Sequence, residues 1–237
     1  MNSTSFLTAE WQKLAFANYA VDPAILIPFL PAHTELDYWE NQCYVSLVGF
    51  MFLKTRLRGI RIPLHSNFPE VNLRFYVRFK DQGKWKRGVT FIHEFVPKRA
   101  LTLVANLIYQ EPYETLPMHH EWIYGTDDLS VMYQWKKRTW NRFQITAAKD
   151  PAIINENSRE EFITEHYWGY TRLDEQTTSQ YQVAHPRWEI YPVLNHSIQV
   201  DFGSLYGMPF AFLSDQKPGF IMLVEGSSIR VMKGGRI

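Results

Sequence analysis

The chain reads as a mostly β protein, a β-rich α+β fold in which an antiparallel sheet curls to hide its edges and only a few short helices intervene. Three observations carry this reading. Residues 68–80, FPEVNLRFYVRFK, alternate: Val71, Leu73, Phe75, Val77 and Phe79 fall on one side, and Glu70, Asn72, Arg74, Tyr76 and Arg78 on the other. That is the period of two that a strand imposes. Aromatic residues make up 16% of the chain, a share that suits pleated surfaces or a lined cavity better than a helix bundle. After residue 121, short apolar runs and turn residues follow one another without a βαβ rhythm, which argues for pairing between sequence neighbours and a sheet curled against edge exposure.

The elements follow in order. In DPAILIPFLP (22–31), Asp22 can cap the free N–H groups, Pro23 suits the first helical position, Pro28 shortens or bends the helix and Pro31 stops it. ELDYWENQCYVSLVGFMF (35–52) reads as a strand, a polar turn near Asn41 and a longer apolar strand. The alternating strand comes next, DQGK (81–84) turns the chain, and WKRGVTFIHEFV (85–96) returns as its antiparallel partner. PKRALTLVANLIYQ (97–110) has helical spacing, with Leu101, Val104, Ala105 and Ile108 on one face, Pro97 at its start and Pro112 closing the segment. EWIYG, LSVMYQWKKR and NRFQITAA read as successive strands, and SREEFITEHYWGYTR opens with a capping box, Ser158 with Glu161. SQYQVAHPRWEIYPV, HSIQVDF, GFIMLVEG and SIRVMKG are further strands, with a short helical piece at GSLYGMPFAFL.

Composition narrows the function classes. No linker, charge block or repeat divides the 237 residues, so a single domain over 1–237 is expected. The net charge is +1, from 25 basic and 24 acidic residues, which leaves no electrostatic footprint for nucleic acid or an anionic membrane. Cys43 is alone, so no internal disulfide is expected, and its apolar neighbours make it a buried thiol in a strand. Clustered Cys and His at zinc spacing are absent, as are GxGxxG and Walker loops, so neither a metal nor a cofactor is expected. Ser204 in FGSLYG lacks the glycine spacing of a nucleophile elbow. The N-terminus lacks the pattern of a signal peptide, and apolar runs of about seven residues fall short of the ~20 needed to span a bilayer; a cytoplasmic location follows by default. A small molecule is the remaining partner, and no motif bears on oligomeric state.

Two groups of residues can carry chemistry. On pattern alone, the polar side of 68–80 is the wet side of an antiparallel strand; turned inward, Glu70 and Arg74 would orient a polar ligand. Lys98 and Arg99 follow Pro97 at a helix start, where a cation is disfavoured by roughly 0.3–1 kcal/mol. Lys98 is spaced to share the apolar side with Leu101 and Ala105. Burial, the helix dipole and the Arg99 guanidinium would all favour the neutral amine, the state a Schiff-base lysine needs. The plainer reading is a lysine that extends to water. Likewise, Glu165, His166 and Tyr167 offer an acid–base group, though a histidine among aromatics is ordinarily a packed, hydrogen-bonded residue.

Several segments carry a resemblance across about residues 10–230: WQKLAFANYAVDPAILIPFLPAHTELDYWENQCYVSLVGFMF, FPEVNLRFYV, FVPKRALTLVANLIYQEPYETLPM, EFITEHYWGYTR and HPRW. The chain resembles the YqjF-like family of uncharacterised bacterial proteins, which is in turn similar to the acetoacetate decarboxylase-like superfamily. The resemblance implies an antiparallel cone or barrel around a pocket, with the polar side of 68–80 facing in. It also implies roles: Pro97-Lys98-Arg99 is similar to the decarboxylases' lysine segment, with Arg99 in place of a second lysine, and Glu70 is similar to their pocket glutamate. The candidate site is therefore Lys98 and Glu70 as catalytic groups, with Asn72, Arg74, Arg99 and Tyr113 as ligand-binding groups. The function expected is a small-molecule pocket, extending to a Schiff-base enzyme acting through Lys98 on a small carbonyl or keto-acid compound in decarboxylase-like chemistry. The alternative is a structural or partner-binding domain that keeps the fold without chemistry.

Overall fold

A computed structural model describes residues 5–61, 63–99, 102 and 111–237. Most of the helix expected over 97–110 lies outside these residues. Its opening turn is described, with the Thr102 N–H donating to the Lys98 carbonyl at 3.2 Å.

The architecture is set by strands long enough to pair on both edges. Ser5–Val21 pairs antiparallel with Cys43–Leu57 on one side and Phe220–Met232 on the other. Cys43–Leu57 pairs with Phe68–Asp81, which forms the expected hairpin with Lys84–Val96. Gln82 and Gly83 make that turn with φ of 47° and 83°, the left-handed pair that a tight hairpin requires. Lys84–Val96 takes Trp168–Arg172 in parallel, Trp168–Arg172 pairs with Thr178–Ala184, and Thr178–Ala184 reaches Phe220–Met232 again through Val183 and Ala184. The pairings thus return on themselves. The curled sheet is mixed, with a parallel join that the sequence pattern did not announce.

A second sheet of four strands, Met118–Tyr124, Asp128–Lys136, Trp140–Ala148 and Val193–Gln199, lies against it. Its first three members are the expected meander; the fourth comes from far along the chain. Close approach of the two layers depends on Gly49, where a Cβ would stand 2.7 Å from the Tyr133 ring. The Tyr133 hydroxyl donates to the Lys13 carbonyl at 2.8 Å.

Burial separates two cores. One holds Val71, Leu73, Phe75 and Val77 together with Tyr133, Trp135, Phe143 and Ile145 of the second sheet. The other gathers Phe16, Phe50, Tyr76, Val89, Val183 and Met222, side chains contributed by strands all round the closed sheet, so it is the interior. Tyr76, Glu70 and Asn72 are buried there. The solvent-facing reading of this side is therefore corrected: closure of the sheet covers a face that an open sheet would leave wet.

One helix packs on the interior core and the others on the core between the two sheets. Ser158 caps Arg159–Thr164 by accepting from the Glu161 N–H at 3.1 Å, and Glu161 accepts from the Asn157 N–H. This helix buries Phe162 and Ile163, and the Arg159 guanidinium lies over the Phe220 ring. Pro23–Leu26 is capped by Asp22 and runs into a 3-10 turn, Ile27–Phe29. The expected helical piece after residue 202 is present as Phe202–Tyr206 and Met208–Ser214. Cys43 is buried. Among the described residues, no helix is long and apolar enough to cross a membrane.

Candidate functional site

The sheet register brings polar residues together across three strands. Glu70 lies opposite Phe50, Asn72 opposite Glu94, and Glu94 beside Tyr113 of the short strand Tyr113–Thr115. A bulge decides who faces inward. Leu73 pairs with His93 but Arg74 pairs with Phe91, so Ile92 is the extra residue. Phe91 and Glu94 are three apart and would occupy opposite faces of a regular strand; with Ile92 bulged, both line the same cavity. His93 turns the other way to Glu114, at 3.2 Å.

The cavity measures about 120 Å³. Its walls are mainly apolar, with Trp11, Phe50, Phe52, Phe68, Phe91, Val183 and Val231, and its polar groups are Thr55, Glu70, Asn72, Arg74, Glu94, Glu111, Tyr113 and Tyr181. Glu70 accepts from Asn72 Nδ2 at 3.0 Å and from the Tyr113 hydroxyl at 3.1 Å. Tyr181 donates to Glu111. Three buried carboxyls face one cation, Arg74, whose guanidinium lies 5.2 Å from the Phe16 ring centre.

This imbalance raises proton affinity. Burial pushes Glu70 up to about 7, against the opposing hydrogen bonds from Asn72 and Tyr113 and the Arg74 charge. Burial also raises Glu111 to about 8, with the Tyr181 hydrogen bond opposing and the Glu70 charge adding. Glu94 is held well above the ordinary carboxylate range by burial and then by Glu111 and Glu70. Among the described residues, five polar atoms of the lining side chains lack a hydrogen-bond partner: Trp11 Nε1, Thr55 Oγ1, Asn72 Oδ1, Arg74 Nε and Glu94 Oε2. Among the described residues, no group of three or more His, Cys, Asp or Glu side chains is arranged to hold a metal ion.

Of the residues expected from the sequence, Glu70, Asn72, Arg74 and Tyr113 share this cavity. Lys98 is half-buried and Arg99 exposed, and neither is among the described lining residues. Glu94, Glu111 and Tyr181 were missed. A glutamate within an apolar strand, TFIHEFV, was the available signal for Glu94; the bulge that aims it inward has no sequence mark. His166 is packed as its aromatic surroundings imply, between Tyr76 and Phe162, with Nε2 3.1 Å from Asp37 Oδ2, which also accepts from Arg87 Nε at 2.7 Å. Burial lowers His166 to about 4.

The curled sheet around a largely apolar cavity defines a protein of the acetoacetate decarboxylase-like fold. The structure is similar to the acetoacetate decarboxylase of Legionella pneumophila, with a TM-score of 0.64 and 13% identity over 100% of this chain and 90% of that one. It is likewise similar to an acetoacetate decarboxylase-like enzyme of Sphingomonas wittichii RW1, with a TM-score of 0.62 and 12% identity over 98% and 93% of the two chains. The enduracididine biosynthesis enzyme MppR, solved in complex with pyruvate, gives a TM-score of 0.67 and 10% identity over 97% and 90%. In sequence, residues 8–227 match the DUF2071 family of uncharacterized conserved proteins, and the chain belongs to that family. It is 30% identical over 166 residues to the uncharacterized protein YqjF of Bacillus subtilis (strain 168), a match covering 68% of this chain and 65% of that relative's length.

Proposed function

We propose that the cavity binds a small carbonyl compound and that the protein acts on it as an enzyme, with the Glu70–Glu94–Glu111 cluster giving and taking the proton. The observation that carries this reading is the meeting of three buried carboxyls with one cation in a single cavity. Such a cluster keeps protons at neutral pH, so one member can donate a hydrogen bond to a carbonyl oxygen while an ionised neighbour accepts a proton. Arg74 would offset the ionised member. Cavities near 150 Å³ accommodate a benzene-sized guest, so a volume of about 120 Å³ suits a small ligand or the buried end of a longer one.

In the covalent form of this reading, Lys98 is the nucleophile. Its neutral amine attacks the carbonyl carbon, a proton passes from nitrogen to oxygen, and a carboxylic acid of the cluster protonates the hydroxyl, which leaves as water. The iminium that remains is an electron sink. Support comes from the half-buried position of Lys98 at the turn directly after the strand carrying Glu94, and from the enzymes that share this fold.

The test is intact-mass spectrometry after borohydride reduction in the presence of pyruvate, acetoacetate or 2-heptanone. A reduced adduct that disappears in Lys98→Ala is the expected result for the covalent form. Saturable calorimetric binding without an adduct, weakened in Glu94→Gln, would retain the acid–base site and remove Lys98 from it. Neither adduct nor binding overturns both.

A further inference from the structure

Leu7 lies beside both Leu57 and Val231 in the sheet register, and all three line the cavity. A step further along the same strand ends are Arg58 and Lys233, and Arg236 is reached through its pairing with Ser179. These three cations line a cleft of about 280 Å³ with Phe6 and Ser179. Phe6 belongs to the walls of both cleft and cavity, so the two are neighbours.

We propose that the ligand of this cavity is an amphiphile with a terminal oxyanion, held at the mouth by Arg58, Lys233 and Arg236 while its apolar, carbonyl-bearing end enters the cavity. The proposal rests on the reading that the cavity binds a small carbonyl compound, and it assigns the ligand's other end. Arg58 is positioned: its N–H donates to the Phe6 carbonyl at 2.8 Å, its guanidinium lies over the Phe6 ring at 5.7 Å, and Gly59 with φ of 81° turns the chain beyond it. Among the described residues, none of the three cations lies within ion-pair distance of a carboxylate; Asp174 acts on Arg236 only through its charge. Residues 1–4, 62, 100, 101 and 103–110 include no Asp or Glu. Charge is thus graded along the site, with carboxyls within and cations at the mouth. An anionic tail is favoured at the mouth and opposed among the carboxyls, which orients the ligand.

The experiment is calorimetry with 8-oxononanoate, 7-oxooctyl phosphate and 2-nonanone at low and high salt, with inorganic phosphate as a rim-only probe. Charge-assisted hydrogen bonds of about 1.5–3 kcal/mol correspond to affinity gains of roughly tenfold or more, so at least one tailed ketone should bind about tenfold more tightly than 2-nonanone. The gap should narrow at high salt and close in Arg58→Gln/Lys233→Gln, with Arg236→Gln giving a partial loss. The carboxylate and phosphate arms distinguish the two sources of oxyanion. If 2-nonanone binds and neither tail adds affinity, or the gap persists in the double variant, this inference falls and the cavity reading stands. If inorganic phosphate binds as tightly as the tailed ketones, the cleft is an isolated anion site and the inference falls. If none of the ketones binds, both fall.

Discussion

Two charged clusters lie buried in the interior of the same sheet, and their charges are arranged differently. Asp37 stands between His166 and Arg87. Burial works to raise its carboxyl, but hydrogen bonds from both neighbours outweigh it and hold Asp37 below the usual range. Aromatic rings close over this trio: Tyr76 and Phe162 pack on His166, and Phe162 also lies under the Arg87 guanidinium. The other cluster sets Glu70, Glu94 and Glu111 against Arg74 alone and opens on a cavity. A buried charge with matched partners holds elements together. An excess of like charges beside empty space costs stability and keeps protons in reach of a guest, the arrangement expected of a working site.

The largest expected effect breaks the matched cluster. Asp37→Ala leaves the half-buried Arg87 and the buried His166 without their shared acceptor, and a buried hydrogen-bonding group left without its partner costs about 1–3 kcal/mol; urea denaturation at pH 7 measures it. The smaller, opposite effect is on the unmatched cluster. The carboxyls of Glu70 and Glu111 bind protons more tightly in the folded state, near 7 and 8, than in an unfolded chain near 4.3. Their linkage contribution is therefore fully present at pH 4 and is lost as pH rises through 7 to 8. Glu94→Gln removes one member and relieves the others, so its stability relative to wild type should be greater at pH 8 than at pH 5. His166 works in the other direction: lowered to about 4, it contributes stability above its unfolded value that is lost as pH falls from 6.5 to 4. Comparing variant with wild type at each pH isolates the carboxyl effect, and a flat difference from pH 5 to 8 would refute it. The smallest effect is local. Ser158→Ala removes the helix cap beside the matched cluster and should cost about 1 kcal/mol, read by thermal melting, with ligand binding in the cavity unaltered.

How far the site was legible follows from particular residues. Glu70, Asn72 and Arg74 stood out because an alternating strand displays its polar set in sequence, and they do meet in space. Glu94 did not, because one bulged residue, Ile92, changes which neighbours share a face. Glu111 and Tyr181 are 70 positions apart, and no local pattern joins them. The strand Ser5–Val21 was not anticipated either. Its segment Leu14–Ala17 is apolar without alternation and buried throughout, since one side meets the interior and the other the second-sheet core.

The sequence by itself determined the mostly β class, the hairpin at Gln82–Gly83, the caps at Asp22 and Ser158, and the two-sided character of 68–80. These depend on local geometry: turn residues select backbone angles, caps satisfy free N–H groups, and a period of two separates faces. Only the tertiary structure decided that both faces of 68–80 are covered, that three glutamates converge, and that Arg58, Lys233 and Arg236 gather at one cleft. Those outcomes depend on long-range register and on closure of the sheet between Thr178–Ala184 and Phe220–Met232. The alternation of a strand shows that its two faces differ; what covers each face is set by the rest of the chain.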